Sequence, residues 1–523
     1  MVQTNSSTHS IPQVLIGRDS TLLNSKDDAS IDGLSSAVNQ LLPALEHFTR
    51  FDQLEQTAIQ RATWSAQLDE SLPQVGAGAE AVLTALQNIV IPNGLRVGAP
   101  GFSGWVATMP TTIPTAAHLA ATVAGPLCVG VQAFNLLEAV ALRWLAELLG
   151  LPSTYRGIFT PGGSIANLIG LGAARQYAAE QRGRDPARDG LEGLPKPRIY
   201  ASTEVHHCIH RAAAVLGLGR QAVVTIPTDD SLRIDVDALR QRLQQDLAAG
   251  CTPIAVVATA GTTNTGAIDP ISDLSALCLE QGIWLHIDGA YGLLGILDPD
   301  VAPLYGDLSA VDSLVVGPSK WLATSMGYGS IFVRDGNLLE RAFTLEEAVY
   351  LEDSQPIYAT DAPITSQFDD FGYVFHPFGV EHSLPSRGVE VWAVLKEIGV
   401  EGVRTRIRRH NQYARYLAER IHQSEGLELV APITLSTCCF RYVPKPLRAR
   451  TDQAATEMLN QLNREVLCRM RARGRCMPSA TTIGNAFVIR PCFVNPRTTL
   501  GDVDAYVDEA ETCGTEVWES LGN

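Results

Sequence analysis

At 523 residues the chain is too long for one small core, and its 46% hydrophobic and 18% charged residues predict a soluble globular protein of two or three structural units. With 40 basic against 56 acidic residues the net charge is −16, which argues against nucleic acid or an anionic membrane as the main partner, since both need a basic face. The ten cysteines show no CxxC pair and no Cys/His zinc spacing, so no metal site is expected and reduced thiols in the cytoplasm are the simplest reading.

Residues 1 to about 30 are polar and Ser-rich, lack the basic and apolar run of a signal peptide, and predict a frayed arm. Helical periodicity follows at Ile31–Leu45 and Ala77–Leu86, with no chemistry of its own and an expected use in packing on a partner or on the main domain. Gly94–Pro114 is rich in Gly, Pro and Thr and reads as loop. The most apolar stretch, Ala116–Phe134, is broken by His118, Gly125, Pro126 and Gly130, so core packing is expected rather than a membrane span. A helix over Asn135–Leu149 places Leu137, Ala141, Trp144, Leu145 and Leu148 on one face.

From there the pattern alternates. Strands are predicted at Arg198–Ser202, Ala222–Pro227, Pro253–Ala260, Ile283–Asp288, Leu314–Val316 and Gly329–Val333, with helices at Ile165–Arg182, Val205–Leu216, Val236–Leu247 and Asp273–Gln281. Apolar strands separated by helices predict an α/β fold with a large, mostly parallel sheet whose ligands sit at the carboxyl ends of its strands.

The chemistry-bearing segments fall at those ends. TPGGSIAN, Thr160–Asn167, joins two glycines and a serine to a helix start, where free backbone NH groups and the helix dipole favour a phosphate. STEVHHCIHRAA offers His206, His207 and His210, any of which could stack on a flat ring, and the residues alone do not choose among them. Thr262 and Thr263 in ATAGTTNTG either meet the ligand or close a turn. Asp288, in HIDGAYG, is suited to pairing with a pyridine nitrogen and keeping it protonated. Lys320 ends the run VDSLVVGPSK, where loss of hydration favours the neutral amine that forms a Schiff base. An acid, an amine and an anion cradle are what pyridoxal phosphate requires.

Phe343–Ser386 is a long aromatic-rich segment of the kind that is functional or mobile. Helices at Val389–Ile398 and Gly402–Gln423 lead to an α+β tail with strands at Leu427–Val430, Thr437–Tyr442 and Asn485–Arg490 and helices at Gln453–Arg473 and Leu500–Leu521. The expected division is 1–95 for the N-terminal arm and helices, 96–395 for a large cofactor-binding domain and 396–523 for a small C-terminal domain.

On these residues the chain resembles the group II pyridoxal-phosphate-dependent amino-acid decarboxylases, from about Pro100 onward. The resemblance implies a fold type I homodimer with the active site at the subunit interface. VHHCIHRA matches the family's ring-stacking histidine and selects His206; HIDGAYG matches its aspartate at Asp288, with Ala290 against the other ring face. The Trp-Leu pair after Lys320 matches the Schiff-base lysine, Gly163 and Ser164 match the phosphate-binding residues, and GTTN puts Thr263 near the cofactor. AFTLEEAVYL aligns with the loop that carries the family's proton-donating tyrosine and nominates Tyr350; related aldehyde synthases usually have phenylalanine there.

Three departures stand out: Ser319 replaces the usual histidine before the lysine, Ala99-Pro100-Gly101-Phe102 replaces a His-Pro-x-Phe pattern, and an arginine pair is reduced to Arg387. The expected reaction is decarboxylation of an L-amino acid to an amine and carbon dioxide. An aldehyde synthase or carbon–carbon lyase on the same cofactor, or a non-catalytic dimeric homologue, are the alternatives.

Overall fold

The structure, a computed structural model, describes residues 33–51, 57–125, 133–343, 375 and 378–521. The chain divides into two compact units, Met1–Arg50 with Gln56–Leu95, and Phe51–Glu55 with Arg96–Asn523.

In the first unit helices cover Leu34–Arg50, Thr57–Leu68 and Ala79–Ala85, the last running into a π turn at Leu86–Val90. The middle helix was not expected, because TAIQRATWSAQL carries only a weak apolar stripe. Neither of the other two helices buries a residue, and Leu42, Leu45 and Val82 remain exposed.

The second unit contains two sheets. Its strands are β1 (Phe102–Ser103), β2 (Arg156–Thr160), β3 (Pro197–Ser202), β4 (Val223–Ile226), β5 (Thr252–Thr259), β6 (Trp284–Asp288), β7 (Ser313–Val316), β8 (Gly329–Val333), β9 (Leu427–Leu429), β10 (Phe440–Tyr442), β11 (Met477–Ile483) and β12 (Ala486–Arg490). The large sheet has the order β2-β8-β7-β6-β5-β3-β4. Its β4, β3, β5, β6 and β7 pair in parallel, and only β8 runs against its neighbours. Strands such as β5 (TPIAVVAT) are buried on both faces by helices, which is why they read as continuous apolar runs. The fold is thus the expected α/β arrangement.

The second sheet, β1-β11-β12-β10-β9, has its own core, with Phe440, Val466, Met470, Ile489 and Tyr506 fully buried. It takes β1 from the far end of the unit, paired in parallel with β11. The two helices expected at 389–423 are present within Gly388–Gln423, separated by a kink at Gly399, whose φ of 62° a glycine adopts without strain.

One expectation is corrected. The stretch 116–124 is not core: it belongs to a helix, Thr112–Ala124, that buries only Pro114 and Ala121 and leaves Leu119 and Val123 exposed. Apolar composition alone does not say whether a face meets its own chain or another.

Candidate active site

The carboxyl ends of β6 and β7 converge on one cavity of about 360 Å³. β6 delivers Asp288. β7 runs into a turn at Gly317, where the Lys320 N–H donates to the Gly317 carbonyl at 3.1 Å. Only glycine fits there, since a Cβ on Gly317 would lie 2.2 Å from the Ala290 carbonyl. Trp321 and Leu322, both fully buried, anchor the far side of the turn and fix the direction in which Lys320 leaves.

The Lys320 ammonium donates to the Val106 carbonyl. Its pKa is lowered, chiefly by burial, with the neighbouring Cys492 and Asp288 opposing and Arg490 adding to the shift. Burial also lowers the pKa of His206 against the pull of Asp288. His206 Nδ1 accepts from the Cys208 N–H at 3.3 Å, so in the neutral ring the proton sits on Nε2. Of the three neighbouring histidines only His206 lines the cavity.

β2 ends in Thr160 and the chain turns through Gly162, φ 90°, into the helix Gly163–Glu180, whose first residues also line the cavity. Gly163 lies so close to the strand-end turn that a Cβ there would be 3.1 Å from the Ala290 Cβ. Thr262 closes its own turn, bonded to Thr265 at 2.8 Å and to the Ala267 N–H at 3.1 Å, whereas Thr263 lines the cavity. Ser319 also lines it, its hydroxyl donating to the Tyr328 carbonyl at 3.4 Å. Gly163, Ser164, His206, Thr263, Asp288, Ala290, Ser319 and Lys320 therefore share one lining. Tyr350 lies outside the described residues.

Several lining residues were not anticipated. Trp105 and Val106 come from the stretch read as loop, held by β1. Arg490, at the end of β12, is 4% exposed; one Nη donates to the Trp105 carbonyl at 3.0 Å and its Nε has no partner among the described residues. A basic residue ending the buried run AFVIR was the available signal. Beneath the helix start, Trp284 donates to Ser313 Oγ at 2.7 Å, His286 Nδ1 lies 2.7 Å from that hydroxyl, and His286 Nε2 lies 2.8 Å from Asn167 Oδ1. Asn167 in turn donates to the Gly163 carbonyl at 2.8 Å. Burial drives the His286 pKa down to about 3, so this chain is wired by a neutral imidazole that donates from Nε2. By contrast Arg387 is held by Glu381 in two bonds of 2.8 and 2.9 Å, and neither residue lines the cavity.

These residues fit pyridoxal phosphate. The Gly162–Gly163 turn and the following helix start offer backbone NH groups without side-chain bulk. Thr259 Oγ1 and Arg490 Nε, buried polar atoms of the lining, lack protein partners among the described residues. An amine of lowered pKa and a carboxylate face the same space.

Comparison with known proteins agrees. Residues 63–443 match the pyridoxal-dependent decarboxylase conserved domain. The chain is 30% identical over 446 residues to the aromatic-L-amino-acid decarboxylase of Bacillus atrophaeus, covering 83% of this chain and 85% of that one. It is 31% identical over 393 residues to the cysteine sulfinic acid decarboxylase of Homo sapiens, covering 73% and 75%. Among solved structures, that of mouse CSAD aligns with a TM-score of 0.79 at 26% identity, covering 92% of this chain and 99% of that one. Oryza sativa TDC with PLP and tryptamine shares the fold, with a TM-score of 0.82 at 23% identity over 93% and 98% of the two chains. The chain belongs to the pyridoxal-dependent decarboxylase family, fold type I enzymes, and is a pyridoxal-phosphate-dependent amino-acid decarboxylase.

Proposed function

We propose that the enzyme decarboxylates an L-amino acid with a neutral, apolar or aromatic side chain. The observation that carries this reading is the charge of the lining: among the described residues Arg490 is the only cationic side chain besides Lys320. With Lys320 holding the cofactor, Arg490 is left for the substrate's α-carboxylate, and among the described residues no second cation of the lining remains for an acidic side chain. Trp105, Val106, Met326 and Tyr328 supply an apolar and aromatic wall instead.

When bound, pyridoxal phosphate supplies an electron sink for the bond broken at Cα. In this reading Lys320 anchors it, Asp288 keeps its ring nitrogen protonated, and His206 and Ala290 cover its two faces. Gly163, Ser164, Thr263 and Ser319 seat its phosphate and ring, and Tyr350 donates the proton that Cα takes up. Carbon dioxide and amine release should be measured across aromatic, aliphatic, basic and acidic amino acids. Highest kcat/KM for an aromatic or large apolar substrate is expected; a preference for glutamate or cysteine sulfinate would sink the proposal.

The protein is further proposed to act as a homodimer, supported by the apolar face that Ile113, Leu119 and Val123 expose on the helix Thr112–Ala124 and by exposed Trp105 beside the cavity. A cytoplasmic setting is supported by the nine described cysteines, all unpaired. A hydrophobic core that lies wholly between Ala414 and Val517 supports the proposed small domain at 396–523.

A further inference from the structure

Decarboxylation takes up one proton per turnover: carbon dioxide leaves, and the electron pair left at Cα forms a C–H bond in the amine. That proton has to come from solvent into a cavity with a largely apolar wall. Tyr328 belongs to that wall. Its hydroxyl lies 3.0 Å from His118 Nδ1, and the same nitrogen lies 2.8 Å from Glu390 Oε1. Glu390 is fully buried and its other oxygen accepts the Ser325 N–H at 2.6 Å, which pins the chain just after Lys320. The His118 side chain is 50% exposed, so an imidazole with its Nδ1 engaged inward also meets water.

The three side chains come from separate elements: His118 from the helix Thr112–Ala124, Tyr328 from the turn before β8, and Glu390 from the first turn of Gly388–Gln423. The charged groups facing Tyr328 are Glu390 from that last segment, Arg387 just before it and Glu138 from the helix Ala133–Leu148. Arg387 is paired with Glu381, and burial lifts the Glu138 carboxyl to about 7. Burial, with the Glu390 carboxylate beside it, keeps the Tyr328 phenol protonated above the usual range, as a donor must be before it acts.

We propose that Tyr328, His118 and Glu390 form a proton relay that recharges the cavity from solvent. Tyr328 releases its proton into the cavity to replace the one consumed at Cα. His118 passes its Nδ1 proton to the phenol oxygen and regains one from water, and Glu390 balances the imidazolium charge. One proton enters for each one consumed.

This relay rests on the decarboxylation reading, and the holoenzyme tests both. His118→Ala removes a half-exposed side chain. It is expected to lower kcat about tenfold or more, with KM nearly unchanged, and added imidazole should restore kcat in a saturable way. Tyr328→Phe should show the same loss without rescue. In protein labelled with nitrogen-15 histidine, with or without cofactor, the His118 Nδ1 resonance should move in both Tyr328→Phe and Glu390→Gln. Full kcat in His118→Ala, a loss that imidazole does not rescue, or a resonance unmoved in both variants would overturn the relay alone. Failure of the unsubstituted enzyme to release carbon dioxide from any amino acid would overturn it together with the activity.

Discussion

Lys320 shows how a residue acquires its chemistry from its surroundings. The turn at Gly317, the buried Trp321 and Leu322 and the Val106 carbonyl hold it in place, and burial is the largest influence on its amine. Purified Lys320→Ala is expected to lack the visible absorbance of covalently bound cofactor; retention of that band would unseat Lys320 as the anchor. Tyr350, the proposed proton donor, would act after carbon dioxide leaves. Tyr350→Phe is expected to divert at least about half of the turnover to aldehyde, ammonia and peroxide, because removing a positioned proton donor typically slows its step by about 10²-fold or more. Product analysis showing amine alone would remove Tyr350 from the donor role. Among the lining residues, sequence motifs marked Asp288 and Gly163, which occupy the end of a strand and the start of a helix, and His206, which lies in the short connection between a strand and a helix. Tyr328 was not legible, since nothing local to it announces that it meets residues from distant elements, and Arg490 offered only the weak signal of a basic residue ending the buried run AFVIR.

At the scale of elements, the parallel strands were readable because burial on both faces forces continuous apolar runs, as in β5 and β6. β2 and β11 were missed for the converse reason: RGIFT and MPSATTI carry polar residues and small gaps in their burial. The helix Thr112–Ala124 was misjudged because its apolar side faces outward in the single chain. That face gives the dimer proposal its test. Leu119→Glu with Val123→Glu puts two charges where a second copy would bury them, at several kcal/mol of desolvation, and sedimentation is expected to show monomers. A dimer that survives the double substitution would move the interface elsewhere.

For the whole molecule, two buried histidines and two buried carboxyls set the response to acid. His286 and His410 are held neutral by burial with pKa values of about 3, so the unfolded chain takes up their protons first, and their contribution to stability, full above about 6.5, is lost as pH falls towards 3. Glu138 and Asp269 are raised by burial to about 7 and about 6, so their contribution is present at low pH and lost as pH rises through those values. Between about pH 6 and 5 the two pairs nearly cancel. Below about 4.5 the unfolded chain also holds most of the Glu138 proton, which leaves these four groups a net uptake of roughly one proton and a joint contribution to the slope of about 1.4 kcal/mol per pH unit. Thermal unfolding is expected to show a plateau and then a fall. A midpoint that declines steadily from pH 7 to 5 would contradict this balance.

The cavity lining runs from Trp105 to Arg490, and β1 completes a sheet whose other strands all lie beyond Leu427. During synthesis the turn that carries Lys320 and the helix start at Gly163 would exist long before the wall that closes over them. With the cofactor seated as proposed in this cavity, its seat would be unfinished while the chain is still growing, and its capture would be a late event that reports on completed folding.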